Sequence, residues 1–371
     1  MNTLTVYRLG KVEYGDGLTL MQRFADARRQ GLVGDSLLLL EHPPVLTLGR
    51  GAKRENLLAS EERLRTEGVD LFETNRGGDV TYHGPGQIVG YPIFQLQEDR
   101  RDVRRYVRDV ERCILQTLAE YGLQASIIPK WPGVWLGEEG APDARKIGAI
   151  GVHISRWLTT HGFALNVNTH LPHFNLIVPC GIREAGVTSM QRELGRTVSV
   201  PEVEEALARH FCSVFESERQ EPTAALLKTI SVVLVQGRGP EARVLLVRRV
   251  PERGGFWQIL TGRVEAGEST AQAAARELEE ETGLRLPVTE LEYRHAFALG
   301  EHLPPRLVEE TAFVARCPDG HEVRLGPEHD AHEWVDARTA WERLPFLGLR
   351  EAIRRAVGAS GREAPEAQAL T

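Results

Sequence analysis

Two groups of side chains in this sequence have types and spacings that can do chemistry. The first is the lysine and the cysteine near the ends of one stretch, Lys146 to Ile182, which reads KIGAIGVHISRWLTTHGFALNVNTHLPHFNLIVPCGI. A free thiol titrates near about 8.5, so only a small part of it is thiolate at neutral pH. An ammonium in contact with Cys180 would lower that value by about one or two units and make the thiolate a large fraction. Such a group attacks a thioester or activated acyl carbon and holds the acyl chain covalently. Cys180 lies in Val178-Pro179-Cys180-Gly181-Ile182, where proline and glycine mark a turn that presents a side chain. The plainer reading makes Lys146 a surface charge and Cys180 a turn residue.

The second group is Glu277, Glu280 and Glu281, spaced i, i+3 and i+4 so that a helix carries them on one face. Like charges at that spacing, near a helix C-terminus, each cost roughly a few tenths of a kcal/mol. A bound oxygen-preferring cation, Mg²⁺ or Mn²⁺, reverses that cost. It would bridge a diphosphate and activate water for attack at phosphorus. A solvated glutamate face is the plainer reading here.

These groups need elements to hold them. Ala149–Ile154 and Gly162–Val167 read as two strands that fold back on each other, bringing the ends of the Lys146 stretch together. Ser269 with Gln272 caps a helix that runs to Thr282, where Gly283 is a left-handed stop; Ala271, Ala274, Ala275 and Leu278 supply its packing surface. Apolar residues three or four apart from Arg101 to Tyr121 predict a core helix ended by Gly122. Ser199-Val200-Pro201-Glu202 has the spacing of a capping box for a helix through Val214. The start of the chain reads as strand, turn and amphipathic helix, followed by a buried strand Ser36–Leu40 that Pro43 and Pro44 stop. Arg76 to Gln87 is a glycine-rich loop able to approach a ligand closely, with a strand after it at Ile88–Ile93. Ile230–Val235 and Arg243–Arg249 are two strands joined by a glycine-containing turn.

Bulk properties frame this. A length of 371 residues favours two or three domains, and 42% hydrophobic with 26% charged residues is ordinary for globular chains. A net charge of -7 gives no general pull toward nucleic acid or an anionic membrane. No apolar run reaches signal-peptide or membrane-span length, so a cytoplasmic location is expected. The four cysteines, Cys113, Cys180, Cys212 and Cys317, contain no C-x-x-C pair, which argues against a disulfide framework or structural zinc. The polar stretch Glu216–Thr223 marks a boundary. The expected division is 1–217, a linker at 218–225, 226–357, and a disordered tail at 358–371.

The phrases EHPPVLTLGR, RGGDVTYHGPGQIVGYPI, KIGAIG, HGFALNVNT and NLIVPCGI together resemble the octanoyltransferases of lipoate biosynthesis, over roughly residues 1 to 215. That resemblance implies an α+β fold shared with biotin and lipoate protein ligases, with no cofactor. It implies transfer of an octanoyl group from acyl carrier protein to a lysine of lipoyl domains, those of 2-oxoacid dehydrogenases and of the glycine cleavage H protein. Cys180 would be the acyl-thioester nucleophile, and Lys146 the residue that lowers its pKa and assists proton transfer. The matching acyl-binding residues are Arg76, Gly77, Gly78, Asp79, Val80, Thr81, Tyr82, His83, Ala149, Ile150, Gly151, Gly162, Phe163 and Ala164. His83, His153 and His161 can be bases or structural residues; structure is favoured for His153 and substrate positioning for His83. A Cys-His thioester hydrolase and an ATP-using ligase are the competing readings of this half.

The run GRVEAGESTAQAAARELEEETGL, from Gly262 to Leu284, resembles the Nudix box. This implies an α/β/α sandwich with a mixed sheet over about residues 226 to 357, and Mg²⁺- or Mn²⁺-dependent hydrolysis of a nucleoside diphosphate linked to another group. Glu280 and Glu281 would ligate metal with the Gly262 carbonyl, Glu277 would be a ligand or base, and Arg276 would orient the glutamates. Glu309, Glu310 or Glu328 would complete the metal site. Phe256-Trp257-Gln258 and Glu328-His329 resemble the branch acting on deoxynucleoside or dihydroneopterin triphosphates. A nucleotide sensor that binds without hydrolysis is the alternative for this half. The combined expectation is a bifunctional fusion with no membrane or nucleic-acid partner.

Overall fold

The computed structural model describes residues 2–129, 131–138, 141, 143–179, 186–222, 226–318 and 320–358. Cys180 and positions 359–371 of the expected tail lie outside the described residues. Backbone contacts divide the chain into two compact units, Met1–Ala225 with Ala298–Arg306, and Leu226–Phe297 with Leu307–Thr371. Among the described residues, no helix is long and apolar enough to cross a membrane.

The first unit runs β1 (Asn2–Lys11), α1 (Tyr14–Arg29), β2 (Asp35–Glu41), β3 (Val45–Leu48), α2 (Glu61–Thr66), β4 (Asp70–Glu73), β5 (Val80–His83), β6 (Gln87–Ile93) and α3 (Val103–Glu120). It continues with β7 (Ser126–Ile128), β8 (Trp131–Leu136), β9 (Arg145–Ser155), β10 (Leu158–Asn166), β11 (Gly186–Val187), α4 (Met190–Leu194), α5 (Val200–Val214) and β12 (Ser217–Gln220). Among the described residues, nine strands form one mixed sheet in the order β12-β1-β2-β6-β10-β9-β8-β7, with β11 also on β9. A second, three-stranded sheet has the order β4-β3-β5.

Strand alternation sorts the large sheet into two faces. Leu37, Leu39, Ile88, Phe163 and Leu165 join one core with Val110, Ile114 and Leu118 of α3 and Val203, Leu207 and Phe211 of α5. The other face carries α1, which packs on β6 and β10. Helix α3 starts where Asp102 accepts from the amides of Arg104 and Arg105 at 2.8 and 3.1 Å. Helix α5 starts as expected, but Ser199 makes no side-chain cap. Pro201 follows it and lacks an N–H, which removes one of the two amides such a cap can bond.

Two stretches expected to be irregular contain strands. Val80–His83, inside the glycine-rich segment, pairs antiparallel with β3. Ser217–Gln220, at the expected boundary, pairs parallel with Asn2–Thr5. Both fill ladder positions beside another strand, and unpaired backbone groups there would be costly.

The second unit runs β13 (Leu227–Gln236), β14 (Arg243–Arg249), β15 (Trp257–Gln258), β16 (Leu260–Arg263), α6 (Thr270–Thr282), β17 (Val288–Leu299), β18 (Arg306–Arg316), β19 (His329–Asp336), α7 (Ala337–Arg343) and α8 (Leu347–Gly358). Seven strands among the described residues form a mixed sheet, β15-β14-β13-β18-β17, with β16 on β13 and β19 on β14. One face packs on Ala273, Ala274 and Leu278 of α6, the other on Leu349, Ala352 and Ile353 of α8. Gly358, expected as the first tail residue, ends α8. The expected packing surface of α6 is corrected at two positions: Ala271 and Ala275 are exposed and Ala273 is buried. The buried side follows the turn-by-turn set 274, 278 and 281 with its neighbour 273.

Candidate functional site

In the first unit, Val89, Ala164 and Ala149 stand in register across β6, β10 and β9 on the α1 face of the sheet. Two of the three are alanines, so the face has a shallow floor there. The three-stranded sheet stands opposite, and the space between is a cavity lined by Tyr14, Arg76, Gly78, Asp79, Thr81, His83, Val89, Tyr91, Ala149, Ile150, Gly151, His161, Gly162, Phe163 and Ala164. Alternation along β5 sends Thr81 and His83 to this cavity, while Val80 and Tyr82 pack in a separate small core with Leu46, Leu64 and Leu176. The Arg76–Asp79 segment reaches the sheet where Gly77 N–H donates to Val152 O at 3.0 Å. A Cβ on Gly151 would stand 2.9 Å from Gly77 O, so this approach requires glycine.

Two histidines of the lining, His83 and His161, are held neutral beside the Arg76 cation. Arg76 is buried, donating from Nε to Thr47 Oγ1 at 3.1 Å, from Nη2 to Thr47 O at 2.6 Å and from Nη1 to Gly77 O at 3.0 Å. Burial first, then the neighbouring charges of His42 and Arg76, lowers His83 to about 3. Burial likewise lowers His161 to about 4, helped by Arg76. Gln87 Nε2 donates to Tyr82 O and Asn166 Oδ1, so its Oε1 is the acceptor for His83 Nδ1 at 2.7 Å. His83 therefore carries its proton on Nδ1 and leaves Nε2 bare. Behind it, His42 bridges Val12 O and the Tyr91 hydroxyl, each at 2.7 Å, with burial lowering its pKa to about 4.

Lys146 lies on β9 before the cavity floor, about 10 Å from Ala149 at about 3.4 Å per strand residue. It is buried, opposite Trp135 in the β8–β9 pair, and its Nζ donates to Pro132 O at 3.0 Å. The single step from Val134 to Trp135 on β8 faces two steps on β9, from Gly148 to Lys146, so Ile147 is an extra residue that bends β9 here. Gly133 has φ 117 and donates its N–H to Glu111 Oε1 at 3.1 Å, and a Cβ on it would meet Gly148 O. On the other side of β9, Val187 is in register with Lys146 and Thr188 N–H donates to Lys146 O at 2.9 Å.

In the second unit, α6 has the expected ends. Ser269 Oγ accepts from Gln272 N at 3.2 Å, Gln272 Oε1 accepts from Ser269 N at 2.8 Å, and Gly283 stands at φ 70. Arg276 gathers the acids around it, donating from Nη1 to Glu277 Oε1 at 2.8 Å and Glu280 Oε2 at 3.1 Å, and from Nε to Glu268 Oε1 at 3.0 Å. Its hydrogen bonds hold Glu268 below the usual carboxylate range, whereas burial raises Glu277 despite the same guanidinium. A Cβ on Gly262 would fall on the Glu277 carboxyl group, so that glycine makes room for the acid. Glu281 Oε2 accepts from His329 Nδ1 at 2.5 Å.

Among the described residues, no group of three or more His, Cys, Asp or Glu side chains stands at metal-holding separation. Arg276 and His329 engage the three carboxylates instead. The donors nevertheless fit a hard divalent cation, being all oxygen and on one helix face. The three candidates for a further ligand are separated. Alternation puts Glu309 with Phe313 and Ala315 on the α6 face, and Glu310 with Ala312 and Val314 under α8, 3.7 Å from His295. Glu328 Oε1 pairs with Arg253 Nη1 at 2.6 Å.

Residues 13–212 match the family described as lipoyl protein ligase A/B catalytic domain, and residues 226–355 match the NUDIX domain. An octanoyltransferase of Myxococcus xanthus is 73% identical over 356 residues, covering 96% of this chain and 99% of that protein. The chain belongs to the octanoyltransferase family. It carries a NUDIX domain after the transferase region. A Thermoplasma acidophilum putative lipoate protein ligase with bound lipoic acid covers 61% of this chain and 90% of its own at 18% identity and TM-score 0.48. The Escherichia coli dihydroneopterin triphosphate pyrophosphohydrolase covers 36% of this chain and 98% of its own at 28% identity and TM-score 0.32.

In the octanoyltransferase region, eleven of the residues expected around the acyl group line one cavity; Gly77, Val80 and Tyr82 do not. Tyr14, Val89, Tyr91 and His161 line it and were not among them. Alternation along β6 would have paired Val89 with Tyr91, but only the tertiary fold brings Tyr14 there.

Proposed function

We propose that the chain is a bifunctional enzyme whose transferase region moves an octanoyl group from octanoyl-acyl carrier protein to a lipoyl-domain lysine. The Cys180 thiolate attacks the thioester carbonyl, the carbon–sulfur bond to the carrier breaks, and the carrier leaves as its thiol, taking up the proton that Cys180 gave up. The acceptor lysine amine then attacks the Cys180 thioester, forming the amide and releasing the cysteine sulfur. Lys146 stabilises the thiolate by its charge and relays the proton that the amine gives up and the leaving sulfur takes. The observation that carries this reading is the shallow floor of Val89, Ala164 and Ala149 across three strands, the last of which, β9, also carries the buried Lys146. An apolar slot ending in a few polar groups suits an alkyl thioester, and exclusion of water from it favours transfer over hydrolysis. Incubation with octanoyl-acyl carrier protein should add one octanoyl mass that hydroxylamine removes. Persistence of that mass in Cys180→Ala would sink the assignment.

The Nudix region is proposed to hydrolyse a nucleoside or pterin di- or triphosphate. Glu277, Glu280 and Glu281, with the Gly262 carbonyl, would hold Mg²⁺ or Mn²⁺, which supplies charge neutralisation at the diphosphate and an activated water. Arg276 holds Glu277 and Glu280 through one nitrogen, and Gly262 leaves the space Glu277 occupies. The full-length protein, screened with Mg²⁺ against nucleoside and pterin phosphates, should release phosphate or pyrophosphate. Equal turnover in EDTA would rule this chemistry out.

A further inference from the structure

Glu281 and His329 form a buried pair whose side chains are 9% and 1% exposed. Glu281 Oε2 takes the hydrogen bond from His329 Nδ1, and on the far side of the ring His329 Nε2 lies 3.3 Å from Gln258 Nε2. A carboxylate oxygen accepts and does not donate, so the proton between the two sits on His329 Nδ1, and Glu281 receives it.

Backbone contacts hold the pair in place. Gly326 N–H donates to Glu281 O at 3.2 Å, and His329 N–H donates to Gly326 O at 3.3 Å. A Cβ on Gly326 would stand 2.9 Å from Glu280 O and 3.2 Å from Glu281 Oε2. The turn before β19 thus packs directly on the last turn of α6. A carboxylate there opposes the helix macrodipole and is buried, so it needs a donor. His329 supplies one.

We infer that His329 is a positioning residue for metal binding: its Nδ1–H pins Glu281 Oε2 and leaves Oε1 as the oxygen for a divalent cation shared with Glu277 and Glu280. The inference rests on the metal-binding reading of the Nudix region. The chemistry is that of an outer partner orienting a ligand, and loss of such partners typically lowers metal affinity about 10- to 100-fold.

The test is Mn²⁺ binding to the full-length protein, followed by electron paramagnetic resonance, for the wild type, His329→Leu and His329→Asn. Asparagine places an amide N–H close to the Nδ1 position; leucine fills the space without a donor. His329→Leu should bind about 10- to 100-fold more weakly, and His329→Asn should recover most of the affinity. Equal affinity of wild type and His329→Leu overturns the role of His329. A wild type that binds no Mn²⁺ and turns over equally in EDTA overturns the underlying metal reading instead. Nitrogen-15 histidine spectra of the wild type give a check that does not depend on variant folding. They should show a protonated Nδ1 for His329, its resonance moving on Mg²⁺ addition; a ring protonated on Nε2 alone overturns the inference.

Discussion

The ammonium of Lys146 sits over the indole of Trp135, its Nζ 4.7 Å from the ring centroid. The register of β8 on β9 produces this, since the two residues are opposite each other in the sheet. A buried ammonium loses its hydration, and an aromatic face with the Pro132 carbonyl replaces part of it. Lys146→Met, which keeps the stem and removes the charge, should slow single-turnover octanoylation by about 10²-fold or more, the usual worth of a positioned proton-transfer group. An unchanged rate would return Lys146 to a purely structural role.

Ala164 and Ala149 make the floor of the slot. Leucine at position 164 would put a branched side chain where the acyl chain is proposed to lie, besides costing about 1–3 kcal/mol of overpacking. Ala164→Leu should raise the KM for octanoyl-acyl carrier protein while a butyryl thioester is affected less. Equal losses for the two chain lengths would place the alkyl group elsewhere.

Gly262 is spatially tied to Glu277, because a methyl group on it would occupy the carboxyl position. Gly262→Ala should abolish Mg²⁺-dependent hydrolysis, and Glu277→Gln should lower it by about 10²- to 10⁴-fold if the acid moves a proton in the reaction. Octanoyl transfer should be unchanged in both, since these residues belong to the other unit. Parallel loss of the two activities would indicate damage to the whole chain.

His42 and His161 titrate at about 4 and His83 at about 3 in the folded protein, against 6.5 for an exposed ring. The unfolded chain therefore binds more protons below pH 6.5. Their contribution to stability is full above that value and is lost as the pH falls through it toward 4. Glu204, raised to about 7 by burial, acts with the opposite sign: its contribution is full at low pH and lost as the pH rises toward 7. The comparison that isolates the ring is the urea midpoint between pH 7 and 4 for wild type and His42→Gln. The variant should show the shallower acid decline; parallel curves would contradict a neutral buried His42.

Much of this protein is written locally. The ends of α6 follow from Ser269 with Gln272 at the start and Gly283 at the stop, each acting within the helical turn it caps. The hairpin of β9 and β10 follows from two apolar runs and the short connection between them, and α3 from its repeating apolar positions. The glutamate trio shares a face because the helix period requires it.

What the sequence alone left open depends on distant partners. A glycine-rich segment conceals β5 because its strand character comes from pairing with β3. Ala273 is buried and Ala275 exposed because the sheet lies on one side of α6. Tyr14 enters the cavity from a helix start far away in sequence. His329 reaches Glu281 across 48 positions. Spacing along the chain determines which side chains can share a helix or strand face. Burial against a remote element decides which of them stay neutral, which are pinned by a neighbour, and which remain open to a ligand, because desolvation and hydrogen bonding act through space.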